Sequence, residues 1–331
     1  MKRSATARAA RVLAAALLAT AATAAPLAAR AAAPLAAVQA PGWYRTMVGA
    51  YEVTVLSDGT HTFPVNDVMT GIAAPDVARA LDRQALKPPV QGSINAFLIN
   101  TGSRLVLIDT GAGSLYGACC GRLLANLRAS GYRPEQVDLV LLTHLHKDHV
   151  GGVLADGKPA FPNAVVRAAR TDADYWRDAG SKARAPDFLS TFFDAAKAAL
   201  APYDAAGRFV PFDAAGAAEL APGIRALPES GHTPGHTGYL VENGGQALLV
   251  WGDVVHVAAI QLDHPDAAVK YDSDRDDAVA TRRALLERAA SQRLLVGAAH
   301  VAFPGLGHLR RDGAGYTWIP ANYEGDPADP H

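Results

Sequence analysis

The chain has 331 residues, of which 31 are basic, 32 are acidic and 11 are histidine. Residues 1–33 hold five of the basic residues and none of the acidic ones, so residues 34–331 carry 26 basic against 32 acidic side chains. This acidic balance, without a cluster of lysine or arginine, argues against nucleic acid as a partner, because nucleic acid requires a basic surface. The length after residue 33, uninterrupted by a low-complexity linker, favours one domain over residues 34–331.

The first predicted element is a signal peptide at residues 1–33. Basic residues at positions 2, 3, 8 and 11 precede an apolar run over 12–25, and cleavage candidates follow Ala24 and Ala31. A membrane anchor is the alternative, but the run is mostly alanine and shorter than the roughly 20 residues that span a bilayer. We therefore expect an exported protein, periplasmic or secreted, without stable membrane insertion.

Strands and helices are predicted to alternate through the first half. A strand pair is predicted at 95–100 and 105–109, followed by a helix at 122–130 closed by Gly131 and a buried strand at 138–142. Thr171 with Asp174 resembles a capping box that opens a helix through residue 178, and 187–200 is a second helical run.

The second half repeats this order. Strands at 239–242 and 247–251 flank the turn Asn243-Gly244-Gly245, a strong hairpin signal. Ser273 with Asp276 predicts the start of a helix that runs to about residue 289, and 293–297 is predicted as the final strand. Together the elements indicate an α/β protein with two sheets packed face to face and helices outside.

The chain has only two cysteines, Cys119 and Cys120, and they are adjacent. A disulfide between neighbours closes a strained ring, so no disulfide framework is predicted. Two small half-buried residues are expected, with a vicinal disulfide as the alternative.

Four potential metal ligands fall within six consecutive positions: His144, His146, Asp148 and His149. They follow the predicted strand 138–142, and they are too close in sequence to share one helix face, so they require a loop. Neutral imidazole and carboxylate suit zinc and its neighbours. A metal-binding loop is predicted here, against the alternative of a solvated loop rich in histidine.

Three later residues share this placement at the boundary of a strand. His232 lies in a loop rich in glycine and proline at the start of a strand, and Asp253 and His300 each end an apolar run. Two metals about 3.5 to 4 Å apart need more than four ligands, usually with a shared carboxylate. We therefore expect these three residues to converge on the metal-binding loop.

The His-x-His-x-Asp-His loop, the segment Gly-His-Thr-Pro-Gly-His, the later aspartate and the final histidine resemble the pattern of metallo-β-lactamase-fold hydrolases. The resemblance implies a four-layer αββα sandwich and two divalent metal ions per chain. Zinc is the expected metal, with manganese, cobalt or iron as alternatives. It also implies a ligand set in which Asp253 bridges one metal held by His144, His146 and His232 and another held by Asp148, His149 and His300.

Two further residues are assigned supporting roles by the same resemblance. His236 competes with His232 for the ligand position, and it is interpreted as a residue that supports the ligands. Asp109 is expected to steady the metal-binding loop by hydrogen bonding, with a simple turn residue at the end of a strand as the alternative.

Within the superfamily, the chain most resembles the methyl parathion hydrolase group of exported organophosphorus hydrolases. The signal peptide, the ligand spacing and the segments 109–113 and 303–308 carry this resemblance. It implies an aromatic substrate pocket at Tyr116, Trp176 and Phe193, with ordinary helix packing as the alternative. His256 and residues 257–262 are a further candidate wall.

The metal pair implies hydrolysis by a metal-bridging hydroxide, with Asp148 and Asp253 as catalytic carboxylates and Asp148 also steering protons. The expected substrates are small-molecule phosphotriesters or aryl esters, and the alternative is a lactonase acting on acyl-homoserine lactones or other lactones. A ribonuclease is disfavoured by the acidic balance, a flavodiiron-like protein by the histidine at position 146, and a non-catalytic binding module by the complete ligand set. The oligomeric state is open, with a homodimer as one alternative.

Overall fold

The computed structural model describes residues 33, 35–216 and 218–325. The chain divides into two compact units, Met1–Ala40 and Pro41–His331, and every helix and strand described below lies in the second. The predicted signal peptide lies outside the described residues, apart from Ala33. Within those described ranges, no helix is both long enough and apolar enough to cross a membrane.

The strands, in chain order, are β1 (Trp43–Val48), β2 (Tyr51–Phe63), β3 (Met69–Thr70), β4 (Val90–Asn100), β5 (Leu105–Ile108), β6 (Leu139–Leu141), β7 (Leu154–Ala155), β8 (Lys158–Pro159), β9 (Val165–Arg167), β10 (Glu219–Ala221), β11 (Ile224–Pro228), β12 (Thr237–Asn243), β13 (Gln246–Val250), β14 (Ala268–Val269), β15 (Leu295–Gly297), β16 (Leu306–Asp312) and β17 (Gly315–Pro320). The α-helices are α1 (Val65–Val68), α2 (Ala74–Arg83), α3 (Leu123–Ala129), α4 (Lys147–Val150), α5 (Arg170–Arg177), α6 (Ala179–Arg184), α7 (Ser190–Ala205), α8 (Ala258–Gln261) and α9 (Arg275–Ser291).

The two large sheets divide the chain between them. The first has the strand order β1-β2-β4-β5-β6-β9, and the second has the order β10-β11-β12-β13-β15-β16-β17. In each, one central strand is followed by a parallel neighbour, β5 by β6 and β13 by β15, across a connection that contains a helix. Parallel pairing requires such a crossover, and it brings the carboxyl ends of neighbouring strands to one edge of the sheet.

The core between the sheets follows from the period of two along each strand. Val55, Phe97 and Ile99 of the first sheet pack with Tyr239 and Val250 of the second. All five side chains are buried, and they form a continuous apolar layer.

Helices cover the outer faces of both sheets. Leu98 of β4 packs in one cluster with Trp176 of α5 and Phe193 of α7, and Leu249 of β13 packs in another with Leu286 of α9. This is the expected four-layer αββα sandwich.

Most of the predicted elements are confirmed. The pair at 95–100 and 105–109 is the antiparallel pair β4 and β5, although β4 is longer and Asp109 lies beyond β5. Gly131 follows α3 with a φ of 97°, a conformation that favours glycine after a helix. The predicted hairpin is β12 and β13, closed by Gly244 and Gly245 between the paired residues Asn243 and Gln246.

Several predicted boundaries are wrong. The helix expected to open with Thr171 and Asp174 begins at Arg170, with no side-chain cap at its N-cap residue Ala169. The cap of α9 is Asp274 rather than Ser273, since its carboxylate accepts from the backbone N–H groups of residues 276 and 277. The run at 187–200 begins with a 3₁₀ turn, Asp187–Leu189, before α7, and the strand predicted to be the last is followed by β16 and β17.

Cys119 and Cys120 are free and half-buried, as expected, with their Sγ atoms 2.7 Å apart.

Candidate metal centre and active site

The metal-binding loop is held in place by Asp109. This residue follows β5 with a φ of 61°, which turns its carboxylate toward the loop after β6. Its oxygens accept from the Thr143 backbone N–H at 2.8 Å and from the Thr143 hydroxyl at 2.9 Å, and one lies 2.9 Å from Nδ1 of His149. Asp109 therefore contacts both the start of the loop and the ring of one candidate ligand.

Candidate metal ligands from both sheets converge in two groups. Within each group, one potential ligand atom from every residue lies within 4.8 Å of the others, and the side chains are buried. The first group consists of His144, His146, His232 and Asp253, and the second consists of Asp148, His149 and His300.

The Asp253 carboxylate lies between the two groups. Its Oδ1 is 3.0 Å from Nε2 of His149 and 3.1 Å from Nε2 of His300, while its Oδ2 is 3.3 Å from Nε2 of His232. Its Oδ2 also lies 3.2 Å from Nε2 of His300, so the carboxylate contacts residues of both groups, as a carboxylate shared by two metals would.

Unpaired buried atoms show that the set fits divalent cations. Nε2 of His144, His146 and His149 and Oδ1 of Asp253 are buried without a hydrogen-bond partner among residues 33, 35–216 and 218–325. Buried polar atoms are normally paired, so several unpaired acceptors in one place require a positive ligand. The two buried groups support a binuclear metal site, and imidazole with carboxylate suits zinc and its neighbours in the first transition row.

Other residues orient the candidate ligands by binding the second nitrogen of each ring. Nδ1 of His232 lies 2.7 Å from Oδ1 of Asp272, and Nδ1 of His300 lies 2.8 Å from the Ser93 carbonyl oxygen. Such partners fix the tautomer and leave Nε2 directed at the metal position. Asp272 is a residue that the sequence did not reveal.

His236 is in neither metal group. Its Nε2 accepts the backbone N–H of Asp253 at 3.0 Å, so its Nδ1 carries the proton and donates to the Glu229 carbonyl oxygen at 3.1 Å. His236 thus positions Asp253 through the backbone.

The electrostatics favour the cation-binding protonation states of His144 and Asp253, whereas at His149, His232 and His300 burial is outweighed by nearby carboxylates, which raise the pKa of these rings. Burial and the neighbouring His149 hold the pKa of His144 well below its usual value, which keeps the ring neutral. Burial opposes ionisation of Asp253, yet the surrounding histidines, His149 and His300 first, lower its pKa well below the usual value. Neutral imidazole and ionised carboxylate are the forms that ligate metals.

A cavity of about 140 Å³ opens onto both groups, and His146, Asp148, Asp253 and His300 contribute to its wall. Four aromatic side chains complete much of the lining: Phe63, Tyr116, Phe192 and Tyr271. The Tyr116 hydroxyl donates to Oδ1 of Asp148 at 3.3 Å, so this predicted pocket residue also contacts a candidate ligand.

The structure does not place the other two predicted aromatic residues on the cavity wall. Trp176 on α5 and Phe193 on α7 are 1% and 3% exposed, and both pack in the hydrophobic core. Their placement corresponds to the alternative of ordinary helix packing. Trp176 lies behind the wall, with its ring centroid 4.9 Å from that of His146. Phe192, the neighbour of Phe193, is the α7 residue that reaches the cavity.

Two cavity histidines fall outside the metal groups. His256, predicted only as a candidate wall residue, lines the cavity, and so does His61, which the sequence did not single out. His61 lies two residues before Phe63 in β2, and residues two apart on a strand face the same side. Both side chains therefore line the cavity.

Comparison with known proteins places the chain in a family. The sequence pattern of the Metallo-beta-lactamase superfamily matches residues 89–300, so the chain belongs to this superfamily. The chain shares its fold with solved hydrolases of this superfamily.

Two solved structures resemble the chain over most of its length. The hydrolase AbOPH of the beta-lactamase superfamily is 38% identical, with a TM-score of 0.82 over 87% of this chain and 100% of that one. AidC, a dizinc quorum-quenching lactonase solved with a product of its reaction, is 26% identical, with a TM-score of 0.78 over 86% of this chain and 98% of that one.

Curated relatives match over shorter segments. The beta-lactamase-like protein 2 homolog of Drosophila melanogaster is 46% identical over 89 residues, which is 25% of this chain and 28% of that protein. The N-acyl homoserine lactonase of Bacillus cereus is 26% identical over 132 residues, which is 39% of this chain and 42% of that protein. The matched segments therefore span less than half the length of either relative.

Proposed function

We propose that the protein is a binuclear metal-dependent hydrolase that acts on small phosphotriesters or aryl esters. The observation that carries this proposal is the placement of Asp253, whose carboxylate contacts both metal groups and lines an aromatic cavity. The likeness to the hydrolase AbOPH over most of both chains supports hydrolysis, and the choice of organophosphorus substrates rests on the sequence resemblance to the methyl parathion hydrolase group.

Two bound divalent ions would supply a Lewis acid for the substrate oxygen and would activate water at neutral pH. His144, His146 and His232 would hold one ion, Asp148, His149 and His300 the other, and Asp253 both. Asp148 lies at the cavity wall. Its Oδ1 accepts from the Tyr116 hydroxyl, and its Oδ2 is 3.6 Å from Nε2 of His300. From there its carboxylate can take the proton released by the attacking water and deliver it to the departing oxygen of the substrate.

The size of the cavity limits the substrate. A volume of about 140 Å³ is close to that of an engineered cavity which accommodates one benzene molecule. Four aromatic walls favour a flat ring, since aromatic side chains stack on such groups. The aryl ring of an ester or phosphotriester fits these limits.

A lactonase is the second candidate, and it rests on the likeness to AidC, a dizinc lactonase, over 98% of that chain. A small lactone ring also suits the cavity volume. The hydroxyl of Tyr116 adds a polar group to the wall, which would suit a carbonyl compound.

Paraoxon, phenyl acetate and N-hexanoyl-homoserine lactone, offered to the zinc-loaded protein under identical conditions, separate the two candidates. We expect paraoxon or phenyl acetate to be hydrolysed with the highest kcat/KM. Turnover of the lactone alone would contradict the first candidate and support the second. D253A serves as the control that removes the shared carboxylate, and H264N serves as the control for an unrelated histidine.

We also propose that the protein is exported after cleavage behind Ala24 or Ala31, and that residues from there to 331 act as one domain. Amino-terminal sequencing of the protein recovered from each cell fraction tests the export. An intact N-terminus at Met1 would contradict it. Light scattering on the same material would decide whether the chain is a homodimer.

A further inference from the structure

Lys147 lies in the metal-binding loop between the candidate ligands His146 and Asp148, and it is the first residue of α4. Its ammonium donates to the Thr191 hydroxyl at 2.7 Å. The same ammonium lies over the ring of Phe192, 4.8 Å from the centroid. The loop that carries the ligands is therefore joined to α7 through a lysine side chain.

The Phe192 ring forms part of the cavity wall, close to the first metal group. Its centroid lies 5.1 Å from that of the His146 ring and 6.4 Å from that of the Trp176 ring. An ammonium within about 6 Å of a ring centroid is attracted to the ring by a cation–π interaction. The Lys147 ammonium thus adds an attractive contact to the packing of two rings around Phe192.

Phe192 lies in the first turn of α7, which begins at Ser190. The first backbone N–H groups of a helix have no partner within it, and no side chain caps α7 at Leu189. A cation at this end of a helix opposes the helix dipole, so helix stability does not account for the lysine. Its contacts with Thr191 and Phe192 instead indicate a role in fixing the cavity wall.

A second lysine holds α7 from another side. Lys182 of α6 donates to Oδ1 of Asp194 at 2.5 Å. Asp194 follows Phe192 by two residues, which is about 200° further around the helix, so this ion pair lies away from the Phe192 ring. Loss of Lys182 would loosen α7 without removing a contact of the cavity wall, whereas loss of Lys147 would do both.

We propose that Lys147 is a positioning residue that makes the cavity selective for aryl substrates, because its ammonium fixes the Phe192 ring as one wall of the space for the aryl group. This inference rests on the hydrolase function proposed above. A ring that is already in place loses no further freedom when the substrate binds, so the substrate binds more tightly. Lys147 acts through Phe192, since it is not itself among the residues that line the cavity.

The test compares wild type and K147M on phenyl acetate and vinyl acetate. Both esters have the same acetyl group and a reactive leaving group, but only phenyl acetate has an aryl ring. We expect K147M to raise KM for phenyl acetate about fivefold, the factor that corresponds to the loss of one cation–π contact. The kcat for phenyl acetate and both constants for vinyl acetate should stay within about twofold of wild type, because only ground-state binding of the ring is changed. Dihydrocoumarin and γ-butyrolactone form the matching pair for a lactonase.

Further variants separate this role from a general effect on α7. K147R keeps the cation and should restore KM for phenyl acetate to within about twofold of wild type. K182M removes the other lysine contact of α7 and should match wild type on both esters. In the F192L background, K147M should cause no further rise in KM, because the lysine acts through the ring.

An equal rise in KM for the two esters would overturn the inference. The same rise in the F192L background would also overturn it, and so would a failure of K147R to lower KM below that of K147M. Atomic absorption should show the wild-type metal content in K147M. A lower content would place the effect of the substitution at the metal-binding loop and would equally contradict the proposed role.

Failure of the proposed function is a separate outcome. If the metal-loaded wild type hydrolyses none of these esters and lactones, nor paraoxon, the hydrolase assignment fails. The contact between Lys147 and Phe192 is then decided by the melting temperatures of wild type, K147M, F192L and the double variant. K147M should change the melting temperature less in the F192L background than in wild type, because the effects of residues in contact are not additive. Equal changes in the two backgrounds would overturn the contact.

Discussion

At the scale of single residues, Asp172 joins the two loops that carry the first metal group. Its Oδ2 accepts from the Leu145 backbone N–H at 2.8 Å, and its Oδ1 accepts from the Gly235 backbone N–H at 3.1 Å. The side chain is fully buried. Burial raises the pKa of Asp172 to about 6, although both N–H groups act in the opposite direction.

This pKa predicts how stability depends on pH. The folded protein binds the Asp172 proton more tightly than the unfolded chain does, where the pKa is about 3.8. The protonated Asp172 side chain therefore contributes fully to stability below pH 3.8, and this contribution is lost as the pH rises through 6. The free energy of unfolding falls by about 3 kcal/mol over this range. D172N does not titrate, so the stability advantage of wild type over D172N should shrink by about that amount between pH 4 and pH 7.

Urea unfolding of the metal-free proteins at four pH values between 4 and 7 measures this change. D174N, on the exposed side of the same helix, is the matched control and should follow wild type at every pH. A constant difference between wild type and D172N across the range would contradict the assignment of the raised pKa.

At the residue scale, the sequence singled out candidate ligands at strand boundaries, which the structure brings together in two groups, but it did not resolve contacts that depend on the phase of a helix. His144, His232 and His300 could be identified because each lies at the boundary of a strand in a recognisable motif. Phe192 and Phe193 are neighbours about 100° apart on α7, and the structure turns Phe192 to the cavity. The helix begins at Ser190, after a 3₁₀ turn, and this start determines which of the two phenylalanines faces the cavity.

At the scale of elements, the metal-binding loop depends on the tight packing of two turns. Asp58, a fully buried residue in the middle of β2, accepts from the backbone N–H groups of Ala112 at 2.9 Å and Gly121 at 3.0 Å. The Gly152 N–H donates to the Gly111 carbonyl oxygen at 3.0 Å, directly after α4. The turn after β5 is thus anchored on one side and lies against the backbone of Gly152 on the other.

That packing leaves no room for a side chain at position 152. A Cβ there would overlap the Thr110 carbonyl oxygen, and Asp58 prevents the turn from moving away. We expect G152A to lower the free energy of unfolding by about 3 kcal/mol and to weaken metal binding, because overpacking displaces the backbone. G157A, with open space around it and a φ of 72°, should cost only about 1 kcal/mol through its backbone conformation. Denaturant unfolding of both variants gives the comparison, and similar losses would refute the packing argument.

The elements also show which parts of the fold the sequence discloses. Buried strands with apolar runs, such as β6 and β13, and the Gly-Gly hairpin were predictable from local pattern. The β16 and β17 hairpin was not predicted, since its sequence mixes Arg310, Arg311 and Asp312 with apolar residues and forms the edge of the sheet. The position of Asp272 against His232 depends on a contact between residues 40 apart, which no local pattern reveals.

At the scale of the whole molecule, the candidate metal centre joins the two sheets. His144 to His149 follow a strand of the first sheet, whereas His232, Asp253 and His300 lie next to strands of the second. Bound ions would therefore stabilise the packing of one sheet on the other. A site that exists only in the folded state adds about 4 kcal/mol when the free metal exceeds its dissociation constant 1,000-fold.

Removal of metal should consequently lower the melting temperature of the entire domain by on the order of 10 °C. Differential scanning calorimetry before and after treatment with a chelator, and after zinc is restored, measures the effect. Calcium is the control ion and should restore nothing, because it prefers oxygen ligands to imidazole. An unchanged melting temperature on chelation would contradict a structural contribution of the metals.

The division of the ligands between two consecutive stretches of chain has a practical consequence. All strands of the first sheet precede Phe212 and all strands of the second follow it from Glu219 onward, so the segment between them is the natural place to cut the polypeptide. Each fragment would carry only part of the ligand set, four residues in one and three in the other. Two separately produced fragments would then bind zinc at the complete site only after they reassemble. Zinc binding would therefore report the association of the two fragments.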